Sequence, residues 1–136
     1  ALTDNDIRVI QAERTDVPSW LGSFDVGTCF YTPSYSSLHV SPTKLAEYLA
    51  CGIPAIANRA VGDAGAIIHA LQAGHVLAEF TNDEIDAAAE AFFALRTIDR
   101  TALRNRARPS LDLPTAVSAY LRIYDDPRTA VSITSW

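Results

Sequence analysis

Three side chains near the middle of the chain have the types and spacing of an anion-binding site. Thr43, Lys44 and Glu47 stand at i, i+1 and i+4 of a predicted helix, so they share one side of it. Ser41 and Pro42 precede them in the order expected of an N-cap and a first helical residue. The unpaired N–H groups and partial positive charge of a helix N-terminus attract anions. This stretch therefore favours a phosphate ligand.

Lys44 and Glu47 extend this interpretation towards a nucleotide. A lysine in the first turn opposes the helix dipole, so its position makes more sense beside a negative ligand. Lys44 is also the only lysine of the chain. Glu47, one turn deeper, is placed to accept hydrogen bonds from hydroxyls, as acidic residues do with ribose in dinucleotide sites. The alternative is an i, i+3 surface ion pair worth under about 0.5 kcal/mol. The residues alone leave both interpretations open.

Composition narrows the class of protein. The 136 residues are 49% hydrophobic and 20% charged with a net charge of −5, which is typical of one soluble, mildly acidic domain. There is no basic block of the kind that nucleic-acid binding requires, and no apolar run of about 20 residues that could span a membrane. Cys29 and Cys51 are interpreted as small buried hydrophobes in a reducing compartment, so we expect the cytoplasm. His69 and His75 lack partners at ligand spacing, so no metal is expected.

Hydrophobic patterning predicts strands that alternate with helices. Strands are expected at 7–10, 25–31, 55–57 and 75–78, and helices at 17–24, 42–51, 64–73, 83–95, 101–106 and 115–124. Such alternation indicates parallel strands joined by crossover helices, hence a three-layer α/β/α sandwich. Ligands of these sheets bind beyond the carboxyl ends of the strands. The long loop 33–41, with four serines, and the start of the next helix lie at that edge. Arg96 and Arg100 are interpreted as part of a solvated helix face.

The segment Ser41 to Ala57, SPTKLAEYLACGIPAIA, resembles the donor-binding segment of glycosyltransferases of the GT-B fold, in which P-[ST]-K-x-x-E-Y-x-A-x-G-x-P-V-[IV]-A recurs. The residues that fit are Pro42, Thr43, Lys44, Glu47, Tyr48, Ala50, Gly52, Pro54, Ile56 and Ala57. The pieces upstream of this segment and Val61-Gly62-Asp63 downstream are also similar to the family. The similarity covers most of 7–95 and extends weakly to 104–124.

The resemblance implies the C-terminal, donor-binding domain of a group 1, retaining-type glycosyltransferase with a Rossmann-like sheet. The backbone of 41–44, with Ser41 and Thr43, would hold the diphosphate of a UDP- or GDP-sugar. Lys44 and Glu47 would be the catalytic residues, with Glu47 also on the ribose. His39 stands where many relatives carry the first Glu of a Glu-x7-Glu pair and would face the donor sugar. Arg14 lies in the segment that borders the base. The nucleotide sugar is a substrate, and no cofactor is expected.

The family has six strands in the order 3-2-1-4-5-6, and the four strands expected here match the third to the sixth. Residues 1–136 are therefore expected to form a single partial nucleotide-sugar-binding domain, with closing helices in 101–124 and a tail at 125–136. The first two strands and the N-terminal acceptor domain would be missing, so this chain alone is expected to be inactive. Strand 7–10 would then pair with 25–31 or dock on another chain, giving a dimer through an open sheet edge.

Similar proteins act in bacterial polysaccharide and glycolipid synthesis. Their acceptors are often lipid-linked, which would bring the complete enzyme to the inner face of the membrane. Whether the transfer retains or inverts the sugar configuration stays open, because the sequence shows no nucleophile or general base. Two other functions also remain open: a non-catalytic α/β binding module and a domain like the nucleotide-sugar epimerases.

Overall fold

The computed structural model describes residue 3 and residues 6–125. In this part the chain forms three β-strands, six α-helices and, between β1 and α2, a 3-10 turn. The strands are β1 (Gly27–Cys29), β2 (Ala55–Asn58) and β3 (Gly74–Leu77), and the helices are α1 (Val17–Gly22), α2 (Thr43–Ala50), α3 (Ala64–Leu71), α4 (Asn82–Leu95), α5 (Arg100–Leu111) and α6 (Leu113–Asp125). The 3-10 turn spans Ser37–His39. No helix among these residues is long and apolar enough to cross a membrane.

The strands form a small, open, fully parallel sheet in the order β1-β2-β3. Central β2 is buried at every residue, as expected of a strand covered on both faces. Each strand leads into a helix that packs back on the sheet: α2 on β1 and β2, α3 on β2 and β3, and α4 on β3. The expected α/β class with a parallel sheet is confirmed.

Two apolar clusters cover the sheet, and successive residues of β2 divide between them because side chains alternate across a strand. Ala55 and Ala57 join the larger cluster, to which α2, α3 and α5 contribute. Ile56 joins the smaller one with Leu77 and with residues of α4. The fully buried side chains of the larger cluster include Leu49, Ile68 and Leu103. The predicted packing stripe of α2 is confirmed, since Leu45 and Leu49 are buried and Tyr48 is half-buried.

The expected strand at 7–10 is wrong. This segment has no regular secondary structure, and Ile7 and Val9 are exposed. Its expected pairing with 25–31 is also wrong, because β1 is confined to 27–29 and pairs only with β2 in the described part. A strand needs a hydrogen-bonded neighbouring strand, and in the described part segment 7–10 has none. The segment contacts α1 through Arg8, whose guanidinium lies over the ring of Trp20, 5.9 Å from the centroid.

Helix ends also depart from expectation. The N-cap of α2 is Pro42, and Ser41 lies one residue before the cap, where its hydroxyl donates a hydrogen bond to Asp63. The N-cap of α4 is Thr81, whose hydroxyl oxygen accepts from the amide of Glu84. Helix α3 ends at 71 rather than 73. Helix α5 continues to 111, past the expected end at 106, because its next turn buries Ala107 in the larger cluster. Helix α6 spans 113–125, and the predicted tail beyond 125 lies outside the described residues.

Candidate functional site

The candidate site lies at the carboxyl edge, formed by the three loops that follow the strands. These loops are 30–42 before α2, 59–63 before α3 and 78–81 before α4. Because the strands are parallel, all three loops leave the sheet at the same edge. In open α/β sheets this edge is where ligands bind.

A buried asparagine at the end of β2 fixes the start of loop 30–42. Asn58 is 2% exposed, and its side-chain amide donates to the carbonyl oxygen of Tyr31 at 3.0 Å. The amide of Tyr31 donates in return to Oδ1 of Asn58, also at 3.0 Å. These two bonds continue the pairing of β1 with β2 just beyond the end of β1. They therefore hold Tyr31, at the start of loop 30–42, in a fixed position beside β2.

Serines hold the middle of the same loop in one shape. The hydroxyl of buried Ser37 donates to the carbonyl oxygen of Ser34 at 2.8 Å, and each serine accepts a hydrogen bond from the amide of the other. This exchange builds the 3-10 turn Ser37–His39. On the turn, the rings of His39 and Tyr35 make an edge contact with centroids 5.1 Å apart. The turn is therefore ordered by local hydrogen bonds and presents both rings towards solvent.

Loop 30–42 is seated on loop 59–63 through a glycine. The amide of Gly62 donates to the carbonyl oxygen of Ser37 at 3.0 Å. Gly62 has φ +39°, and a Cβ there would collide with the carbonyl oxygen of Val40, so the close approach requires glycine. Beside it, the Ser41 hydroxyl donates to Oδ2 of Asp63 at 3.2 Å. The two loops thus form one surface next to the start of α2.

The first turn of α2 carries the charged pair of the site. Nζ of Lys44 donates to Oε2 of Glu47 at 2.6 Å, with side-chain exposures of 56% and 44%. This hydrogen bond raises the pKa of Lys44, so the ammonium stays charged. In the described part no side chain caps α2. Its leading amides keep the capacity to bind an anion, next to a cation and a hydroxyl, Thr43.

Two ionisable side chains lie behind this turn. Burial raises the pKa of the Cys29 thiol at the end of β1 and of the Tyr48 phenol on α2. Both groups therefore remain protonated near neutral pH. Charge at the first turn of α2 comes from Lys44 and Glu47, and Asp63 adds a carboxylate beside Ser41.

The structure brings together most of the residues predicted for the site. Thr43, Lys44 and Glu47 share the start of α2, and Ser41 adjoins them. His39 lies in the same loop, on the 3-10 turn. Arg14 lies in the exposed segment before α1, and within residues 6–125 no hydrogen bond or ion pair connects it to the others.

Three residues that shape the site were missed or misassigned from sequence. Asn58 had a recognisable signal, because it is the one polar residue of a strand that is otherwise small and apolar. From sequence, Gly62 and Asp63 enter only as members of the stretch Val61-Gly62-Asp63. In the structure Asp63 stands at the N-cap of α3, where its carboxylate makes no cap bond and accepts a hydrogen bond from Ser41.

No group of three or more His, Cys, Asp or Glu side chains that could hold a metal occurs among the described residues. The fold and the site together define an α/β protein with a candidate anion site at the carboxyl edge of a parallel sheet. Comparisons with protein-family models, curated proteins and solved structures found no match for the chain.

Proposed function

We propose that this chain is the donor-binding part of a glycosyltransferase, which transfers a sugar from a nucleotide diphosphate sugar to a polysaccharide or glycolipid acceptor. The observation that carries the proposal is the Lys44–Glu47 pair on the uncapped first turn of α2, at the carboxyl edge of a parallel sheet. The resemblance of 41–57 to the donor-binding segment of GT-B enzymes supports it. The complete domain would be a three-layer, Rossmann-like sandwich, which agrees with the two apolar clusters at the sheet.

In this proposal the donor diphosphate lies at the start of α2. The ammonium of Lys44 has three N–H donors, so it can keep its bond to Glu47 while it binds a phosphate oxygen. Negative charge grows on the diphosphate as its bond to the sugar breaks, and the helix terminus and Lys44 stabilise that charge. Glu47 accepts hydrogen bonds from the ribose hydroxyls. His39 would face the sugar, and Arg14 the base.

The ordered loop matters for this role because binding energy is lost when a flexible loop must be fixed. Ser37 is 4% exposed and fully engaged in the turn, and Asn58 and Gly62 anchor the loop from outside. A ligand at α2 therefore meets a preformed surface and pays little ordering entropy. This favours a binding role for the loop over that of a simple connection.

Calorimetric titration with UDP, GDP, their sugar conjugates and inorganic pyrophosphate tests the proposal. Lys44→Gln should weaken every one of these ligands, because all carry the diphosphate. Glu47→Gln should weaken the nucleotides and leave pyrophosphate unchanged or tighter, because pyrophosphate has no ribose and the substitution releases Lys44. The matched control is Arg108→Gln, which breaks the pair, at 3.9 Å, between exposed Arg108 on α5 and Asp112 at the C-cap of that helix. It should change neither affinity.

One observation favours a second candidate, a non-catalytic α/β binding module. The 2.6 Å contact between Lys44 and Glu47 is also what an ordinary surface ion pair would show. A chain that binds none of the nucleotides, or a Glu47→Gln variant that binds them more tightly, would favour this module. Turnover of a nucleotide sugar without any acceptor would instead indicate an epimerase-like domain.

A further inference from the structure

Tyr35 is the most exposed aromatic side chain of the loops at the carboxyl edge, within the described part of the chain. It is 82% exposed, against 48% for Phe30 and 48% for Phe80. The rings of Phe30 and Phe80 cover part of each other, in an edge contact with centroids 5.7 Å apart. Tyr35 makes its edge contact with His39, at 5.1 Å, and most of its ring stays open. A single exposed ring is ordinary on a protein surface, so its surroundings decide what it means.

The turn that carries Tyr35 is fixed on both sides of the ring. Tyr35 lies between Ser34 and Ser37, which exchange three hydrogen bonds of 2.8 to 3.1 Å. From the neighbouring loop, the amide of Gly62 donates to the carbonyl oxygen of Ser37 at 3.0 Å. All these bonds join residues of the two loops, so they do not depend on any further chain at either end. A tyrosine has two side-chain torsions, and on a fixed turn it offers contact area at a low cost in ordering.

The same turn lies close to the start of α2. Thr43 follows His39 by four residues, so their Cα atoms are no more than about 14 Å apart. In the proposed function the diphosphate lies at the start of α2 and the ribose lies deeper, at Glu47. The sugar is attached to the opposite end of the diphosphate from the ribose. It therefore extends away from α2, on the side from which loop 30–42 arrives.

We propose that Tyr35 is a specificity-determining residue, whose ring packs against the sugar of the nucleotide diphosphate sugar. This inference rests on the proposed function and adds the residue that recognises the sugar ring. A hexose ring presents C–H bonds on its faces and hydroxyls around its rim. The face of an aromatic ring carries partial negative charge, which attracts weakly positive C–H groups. The contact favours a donor that carries its sugar over the free nucleotide diphosphate.

Calorimetric titration with UDP-glucose and GDP-mannose, each beside free UDP or GDP, tests the contact. Tyr35→Ala should weaken the sugar conjugates by about 3- to 10-fold, the range of one aromatic contact, and leave UDP and GDP unchanged. Tyr35→Phe should bind like the unmodified chain, because it keeps the ring. The matched control is Tyr124→Ala on α6, which removes a tyrosine that is 79% exposed and should change no affinity.

A double substitution separates direct contact with the sugar from positioning of His39. If Tyr35 touches the sugar, Tyr35→Ala should cause a similar loss in a His39→Ala background. A loss that disappears in that background would overturn the proposal, because Tyr35 would then act only by holding the imidazole in place. An equal loss for the free nucleotides, or a loss in Tyr35→Phe as large as in Tyr35→Ala, would also overturn it.

Failure of this contact is distinguishable from failure of the proposed function. If UDP and GDP bind and require Lys44, but Tyr35→Ala leaves the sugar conjugates unchanged, the sugar contact is absent and the donor site stands. If neither the free nucleotides nor the sugar conjugates bind, the proposed function fails and the sugar contact fails with it.

Discussion

Replacing Asn58 by Ala should destabilise the protein by about 2 to 3 kcal/mol. The substitution removes two hydrogen bonds of 3.0 Å to the backbone of Tyr31, each worth about 1 kcal/mol net. It also leaves the amide and carbonyl of Tyr31 without their protein partner, at a further cost of about 1 kcal/mol. That cost lies at the low end of its range because Tyr31 is 37% exposed, so water reaches part of the residue. For a chain of 136 residues the melting temperature should fall by roughly 10 °C.

Urea unfolding followed by circular dichroism measures this free energy. The matched control is Asn105→Ala, which makes the same chemical change on an exposed position of α5, where alanine is a better helix former. It should be neutral or slightly stabilising. If the two variants lose the same free energy of unfolding, the Asn58 bonds do not anchor the loop. If Asn58→Ala unfolds with the predicted loss, its nucleotide affinity should also fall, because loop 30–42 begins at Tyr31.

Three further outcomes can be measured. Gly62→Ala should lower the free energy of unfolding in urea by about 2 kcal/mol, because Gly62 has a positive φ and a Cβ there would collide with the carbonyl oxygen of Val40. The control Gly22→Ala, whose Cβ would meet nothing within 4 Å, should be neutral or stabilising. A thiol reagent should modify half-buried Cys51 in the folded protein and spare Cys29, which is buried and whose pKa is raised by burial. Both thiols should react once urea unfolds the protein. Equal rates of modification of the two cysteines in the folded protein would contradict this. Asp112 accepts the hydrogen bond from the amide of Thr115 that caps α6. Hydrogen bonding with the Thr115 side chain, and next this amide bond, lowers the pKa of the Asp112 carboxyl group. Its contribution to stability is present above about pH 4 and lost as the pH falls through the lowered pKa, so Asp112→Asn should flatten the acid limb of a stability profile.

Hydrophobic periodicity was sufficient to predict the α/β class and the positions of most elements. It worked for β2, α2 and α3 because their buried faces coincide with the apolar pattern. It failed at 7–10, where an apolar alternation is present but no neighbouring strand pairs with it. The hydrophobic pattern indicates which side chains a segment would bury, whereas a strand forms only where a neighbouring strand can pair with it.

The candidate site likewise contains contacts that the sequence predicts and contacts that it does not. The spacing of Lys44 and Glu47 follows from helix geometry, so their proximity was predictable. The bond from Ser41 to Asp63 was not, because it joins residues 22 apart through the meeting of two loops. The sequence also favours Ser41 as the N-cap of α2, whereas Pro42 occupies that position in the structure. Contacts between loops depend on how the sheet sets their separation, which no local pattern contains.

Arg100 was interpreted as part of a solvated face, but its guanidinium donates to the carbonyl oxygens of Gly22 and Phe24, residues 78 and 76 positions earlier, and it approaches Asp25 with Arg96. In the same helix, Leu103 and Ala107 are fully buried in the larger cluster. A chain emerging from a ribosome therefore cannot complete its core until α5 has been synthesised. Until then, the apolar faces of α2 and α3 stay uncovered for several seconds at ordinary elongation rates of about 5–20 residues per second. A nascent chain stalled before residue 100 should consequently be bound by chaperones, and one stalled with α5 outside the exit tunnel should be released.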